Sequence, residues 1–293
     1  PIFVDIDADT YNMDIHCLEE AITPHTRAII PVHFGGQPCQ MDEINAIAAR
    51  HGIKVIEDAA HAHGASYRGK KCGSLADLAS FSFQNSKNMT AGEGGIITTN
   101  NEGYADTCET LVWAGRKRGQ PWYRHYVLAS NARMTEFQGA ILLQQLSRLP
   151  QQTKIRMENA HLLDTLLAEI GGIQPMAWKP TTTSHAYHLY MFRYDQKAFG
   201  GLPKARFIEA LQAEGIPVSG GYVQPLYANP MFVEKSFFGG GFPVNVFEHG
   251  RKIDYVDFVE RCPVCERACA EEALWLSQNV LLSDATAMED IAR

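Results

Sequence analysis

No stretch of this sequence comes near the ~20 consecutive apolar residues that a membrane-spanning helix needs. Nor does it have an excess of positive charge. Its 26 lysines and arginines against 33 acids give a net charge of −7, where affinity for nucleic acid would show as a basic face. No charged-then-apolar leader opens the chain, so nothing signals export and a cytoplasmic location is expected. Internal repeats and low-complexity tracts are missing as well. Cysteine is sparse and scattered, at positions 17, 39, 72, 108, 262, 265 and 269, the odd-numbered usage of a reduced protein. The one cluster, Cys262, Cys265 and Cys269, has no fourth ligand nearby and is interleaved with Pro263, Val264 and Ala268. It reads as packing, and no metal site is expected.

What remains is a globular chain of 293 residues, 45% apolar and 20% charged, long enough for two domains. It opens at Pro1 on a strand-like Ile2, Phe3 and Val4, which suggests a piece of a longer protein. Asp14 suits the cap of a short helix ending at Ala21, and residues 28–32 form an apolar run. Asp42 is placed to cap a helix with Ile44, Ile47 and Ala48 on one face, ended by Gly52. A strand at 54–57, an apolar run at 78–83 and a strand at 94–99 follow, then a helix at about 102–113. This strand–helix–strand rhythm predicts an α/β fold with a mostly parallel sheet and helices on both faces. Two helices are expected next, over 134–149 and 152–170, with Phe137, Ile141, Leu142 and Leu146 spaced for burial. After them come strands at 185–194 and 216–218, a helix at 204–214, a long loop at 220–250 and a closing helix at 284–292. The division expected is a large domain over 1–150 and a smaller α+β domain over 151–293. The basic loop 115–126 reads as a solvated segment, the alternative being a flap over an anionic ligand.

Residues 53–95 hold the chemistry. Asp58 closes one strand, and Lys87 lies just beyond the next, in a polar turn sealed by Gly92, Gly94 and Gly95. In parallel sheets ligands collect at such carboxyl ends. An acid and a lysine so placed suit pyridoxal phosphate (PLP), which needs a lysine to hold it and move a proton, and a carboxylate to keep its pyridine nitrogen protonated. A neighbouring cation would lower the lysine's pKa.

The stretches EDAAHAHGA (57–65), FSFQNSK (81–87) and GEGG (92–95) resemble the sugar aminotransferases of the DegT/DnrJ/EryC1/StrS family. FVDIDADTYNMD (3–14), IIPVHFGG (29–36) and NARMTEFQGAILLQQLSRL (131–149) extend the resemblance over nearly the whole chain. It implies a fold type I PLP-dependent transferase in which Lys87 forms the Schiff base and Asp58 pairs with the pyridine nitrogen. It further implies that His61 lies against the cofactor, Ser82 binds the phosphate, and Asn131 reaches the phosphate of the neighbouring subunit of a homodimer. Tyr187 and His188 lie on the strand that approaches the substrate in such enzymes; their alternative reading is strand packing. The segments FSFQNSKNMTAGEGG, YMFRYDQKAFGGL and CPVCERA look most like glutamine-dependent keto-cyclitol aminotransferases and aminohydroxybenzoate synthases. The implied reaction moves an amino group from glutamine or glutamate to a keto-sugar or keto-cyclitol. Relatives that are dehydratases carry histidine in place of the lysine, and Lys87 argues against them. A non-catalytic PLP-binding regulator is the other alternative. Family members also have a segment before the point matching Pro1 that helps bind phosphate and stack on the ring, so a chain limited to these residues would be a truncated, inactive one.

Overall fold

The computed structural model describes residues 1–236 and 253–293. Its strands, in chain order, are β1 (Ala28–Ile29), β2 (Lys54–Asp58), β3 (Ser66–Tyr67), β4 (Lys70–Lys71), β5 (Leu78–Ser82), β6 (Gly95–Thr98), β7 (Ile173–Pro175), β8 (Thr182–Ser184), β9 (Leu189–Tyr194), β10 (Val218–Ser219) and β11 (Ala273–Ser277). The longer helices are α1 (Ile15–Ala21), α2 (Met41–His51), α3 (Glu102–Val112), α4 (Glu136–Leu167) and α5 (Lys204–Ala213), with a closing helix at Ala285–Ala292. Among the described residues no helix is long and apolar enough to cross a membrane. The chain forms two compact units that alternate along the sequence. One comprises Arg27–Glu158 and Lys179–His188, the other Pro1–Thr26, Asn159–Trp178 and Leu189–Arg293.

The first unit is built on the sheet β1-β2-β5-β6. Strands β1, β2 and β5 are parallel and β6 returns antiparallel to β5, so the expected α/β sheet is present. Alternation along β2 buries Val55 and Glu57 on one side and turns Ile56 and Asp58 to the other, as the two-residue period of a strand requires. Helix α2 buries Ile44, Ile47 and Ala48 as expected, but Asp42 is not its cap. Gln40 holds that position, and Asp42 sits in the first turn, 2.8 Å from Arg68.

The two helices expected over 134–170 are one, α4, which runs through Pro150. Proline removes one helical hydrogen bond. Here burial of Leu149 on one side and of Thr153 and Arg156 on the other pins both halves. The apolar spacing near its start also misleads. Only Leu142 is buried, packed with Phe83, Met89 and Leu149, while Phe137 is 85% exposed and Ile141 and Leu146 about half exposed.

The second unit carries the sheet β10-β11-β9-β7, antiparallel at each pairing. Residues 2–4 form no strand in it. Phe3 instead enters an aromatic cluster, 5.0–6.0 Å from the rings of Tyr227, Phe232, Tyr255 and Phe258. Asp5 then accepts the backbone N–H groups of Val264 and Cys265, capping the short helix Pro263–Arg267 from the far end of the chain. That helix and the following turn hold Cys265 and Cys269, and all seven cysteines are unbridged. Asp14 caps its helix as expected, and Asp284 caps the closing helix. The stretch expected as a loop at 220–250 contains short helices at Leu226–Ala228 and Pro230–Val233, and its remainder from 237 lies outside the described residues.

Candidate active site

The turn that carries Lys87 is held shut by one residue at its base. The Phe83 N–H donates to the Gly94 carbonyl at 2.8 Å, while the Phe83 carbonyl accepts from the Ala91 N–H and the Thr90 hydroxyl, both at 3.0 Å. Gly94 has φ +143°, and a Cβ there would lie 3.2 Å from Met134 Sδ and 3.6 Å from the Phe83 side chain, so the closure needs glycine. Buried Met89 and Phe83 anchor the loop on Leu142 and Leu149 of α4. Lys87 itself donates its N–H to the Gln84 carbonyl at 3.0 Å and is half-buried. Burial lowers its ammonium pKa, and the nearby Asp58 carboxylate opposes that effect. The sequence had suggested a neighbouring cation as the cause; desolvation takes that role. An amine so tuned loses its proton more readily and becomes a better nucleophile.

Asp58 ends β2, with its Oδ1 accepting the Ala60 N–H at 3.0 Å. The strand then bends into the buried turn 59–65, whose alanines 59, 62 and 65 pack with Cys72 and Ala186. That turn places His61 and His63 beside Lys87. Both rings are largely buried, and desolvation first, then the Lys87 charge, lowers their pKa values to about 3 and about 4. His61 Nδ1 is buried without a hydrogen-bond partner. Neither His63 nitrogen has a well-formed bond, although the Ser82 backbone lies near enough to favour its charged form slightly.

Residues 185–188 complete the wall, but not as the strand expected there. Tyr187 has φ +47°, a left-handed backbone that interrupts extension, and β9 begins only at Leu189. The segment bonds elsewhere: the Ala186 N–H donates to the Gly36 carbonyl at 3.0 Å, and the Tyr187 N–H to His185 Nδ1 at 2.9 Å. Gly36, at φ +103°, allows this approach, because a Cβ there would lie 2.9 Å from Ala186 Cβ, the His61 carbonyl and Tyr187 N. The His188 ring stands 4.1 Å from the His61 ring. Burial, then the His61 and Lys87 charges, holds its pKa down at about 2.

Asp58, His61, Lys87 and His188 are thus brought together. Ser82 sits at the end of β5 with its Oγ accepting the Gln84 N–H at 3.3 Å. Tyr187 is buried and stacked 3.8 Å from His185. Asn131 is exposed and bridges to Trp113, with no described contact to the group around Lys87. Sequence reasoning overlooked His63, which lies within EDAAHAHGA two residues past His61, and Asn88, which directly follows FSFQNSK and Lys87. The basic loop 115–126 engages its own neighbours: Arg116 stacks on Trp122 and Tyr123, Lys117 on Tyr126, and Arg118 pairs with Glu109 at 2.8 Å.

The profile of the DegT/DnrJ/EryC1/StrS aminotransferase family matches residues 1–244. The chain is 40% identical over 302 residues to an L-glutamine:2-deoxy-scyllo-inosose aminotransferase of Streptoalloteichus tenebrarius, covering 100% of this chain and 69% of that protein. It is 35% identical over 287 residues to the 3-amino-5-hydroxybenzoate synthase of Amycolatopsis mediterranei strain S699, covering 96% and 68%. A crystal structure of 3-amino-5-hydroxybenzoic acid synthase superposes with a TM-score of 0.85 at 34% identity, covering 99% of this chain and 72% of that one.

Proposed function

The chain belongs to the DegT/DnrJ/EryC1/StrS aminotransferase family, and from that premise we propose that it moves an amino group from glutamine to a keto-cyclitol. The observation that supports this most is the nearness of Asp58, at the end of β2, to Lys87, in the turn after β5, walled by three histidines held neutral. Glutamine and a keto-cyclitol are favoured over glutamate and a nucleotide-linked sugar because the relative at 40% identity is named for them.

The family implies PLP, and the side chains present suit it. Asp58 offers a carboxylate to a protonated ring nitrogen, and His61 has a buried Nδ1 still lacking a partner. Lys87 has an amine whose proton is loosened by burial. Lys87 would hold the cofactor, Asp58 its pyridine nitrogen, His61 its ring and Ser82 its phosphate, with Asn131 serving the partner subunit of a homodimer. When bound, PLP supplies an electron sink for the substrate carbon. The chain's own part is to present the Asp58 side chain, to shield the reacting atoms with its buried wall, and to move a proton through the Lys87 amine. The protein is placed by this reading in the cytoplasm.

The test is to load the purified protein with PLP, add borohydride and map the label, then assay glutamine with cyclic ketones. Label on Lys87 and amine transfer to the ketone are expected. Label elsewhere, or ketone product formed without consumption of an amino donor, would overturn the reading.

A further inference from the structure

Asn88 directly follows Lys87, is 4% exposed, and bonds at both ends of its amide. Its Nδ2 donates to the Ala186 carbonyl at 2.6 Å, and its Oδ1 lies 3.2 Å from His188 Nδ1. The amide can take only one orientation. A carbonyl only accepts, so the NH2 must face Ala186 and the oxygen must face His188. That oxygen also only accepts, so His188 Nδ1 must carry a proton.

We propose that Asn88 is a positioning residue, which fixes His188 in the tautomer protonated at Nδ1 and leaves Nε2 as a lone-pair acceptor for a hydroxyl or ammonium group of the substrate. The acceptor role rests on the aminotransferase reading; the tautomer does not. His188 stays in the neutral form this requires, because burial and the surrounding His61, Lys87, His63 and Arg156 all disfavour a second proton. The same side chain ties the lysine turn to residues 185–188, which carry the left-handed Tyr187. A left-handed non-glycine residue is strained and persists only where its surroundings hold it. A hydroxyl-rich cyclic ketone is the kind of ligand such an acceptor suits, since a buried acceptor rejects analogues that lack the matching donor.

The test is a two-bond proton–nitrogen spectrum of histidine-labelled, PLP-loaded protein near pH 7.5, with His188 assigned from a His188→Gln variant. A protonated Nδ1 and a bare Nε2 on His188 are expected. In Asn88→Leu that pattern should shift toward the other tautomer, with kcat/KM for the ketone falling about 10-fold and the cofactor spectrum unchanged. Asn88→Asp keeps an acceptor toward His188 but loses the donor to the Ala186 carbonyl and adds a negative charge, so the His188 pKa should rise and the acid limb of the kcat/KM profile should move to higher pH. A protonated Nε2 in the unsubstituted protein, or a His188 pattern the same in Asn88→Leu, overturns the proposal. The spectrum needs no turnover, so it stands or falls apart from the assignment of the reaction. Failure of that assignment would show instead as unlabelled Lys87 beside an intact tautomer.

Discussion

Neighbouring residues on β2 put two acids to opposite uses. Glu57 is fully buried, and its carboxylate accepts the N–H groups of Gly73 (2.8 Å), Leu75 (2.7 Å) and Ala76 (3.1 Å), and lies 2.9 Å from His33 Nε2. His33 Nδ1 accepts the Cys39 N–H at 3.1 Å, which places that histidine's proton on Nε2, aimed at Glu57. His33, Glu57 and Cys72 could geometrically hold a metal ion, but Glu57 is already saturated by donors. One residue on, Asp58 takes a single local N–H and faces Lys87. On one side of the strand Glu57 and His33 have their partners, while the turn after Asp58 leaves His61 and His63 nitrogens unsatisfied beside a lysine. Unsatisfied buried polar groups are costly, so they mark the side that awaits a ligand.

The contrast can be tested from both sides. Lys87→Ala should give the largest effect, a loss of amine transfer on the order of 10³-fold or more with little change in melting temperature. A variant that still turns over at the original rate would place the chemistry elsewhere. Glu57→Ala should do the reverse, costing about 3–5 kcal/mol of folding stability by leaving three N–H groups and His33 without their acceptor. Chemical denaturation measures it, and an unchanged midpoint would end the distinction between the two sides.

Acid should find the chemical side first. His61, His63 and His188 are held neutral in the fold, with pKa values lowered from 6.5 to about 3, 4 and 2. The unfolded chain takes up protons below 6.5 and the folded chain does not, so their contribution is complete above pH 6.5 and is lost progressively as pH falls through 6.5 toward about 4 for His63, 3 for His61 and 2 for His188. The slope is about 1.4 kcal/mol per pH unit for each histidine. Denaturation series from pH 8 to 4 would show it, and His63→Phe should flatten the curve. The smallest stability effect belongs to Asp58→Asn, within about 0.5 kcal/mol, because its one N–H contact survives in the amide. Its turnover should nonetheless fall, and a variant that lost stability instead would make Asp58 a second structural acid.

Much of the site was legible because local motifs hold it. Asp58, His61, Ser82 and Lys87 lie within 30 residues, on strands that their apolar runs announce. The parallel sheet, α2, α3, α5 and the Asp14-capped start of α1 follow from periodicity and a capping residue in the same way. Where periodicity misled, long-range packing was the reason. Two helices are expected, one on either side of residues 150–151, yet buried residues flanking Pro150 carry α4 through it. Phe137 and Leu146 had the spacing of a core face and remain exposed, while Phe3, taken for a strand, is packed among four rings drawn from residues 227–258.

By itself the sequence determined the chemistry available: an acid at one strand end, a lysine past the next, and the motif that names the family. That much depends on residue identity and short spacing, which local propensity preserves. Only the tertiary structure decided that Glu57 is enclosed by hydrogen bonds while Asp58 lies near Lys87, that burial tunes Lys87, and that Asn88 reaches 98 residues along the chain to the Ala186 carbonyl. Those outcomes depend on desolvation and on hydrogen-bond partners brought from far apart, and the chain acquires both only when it packs.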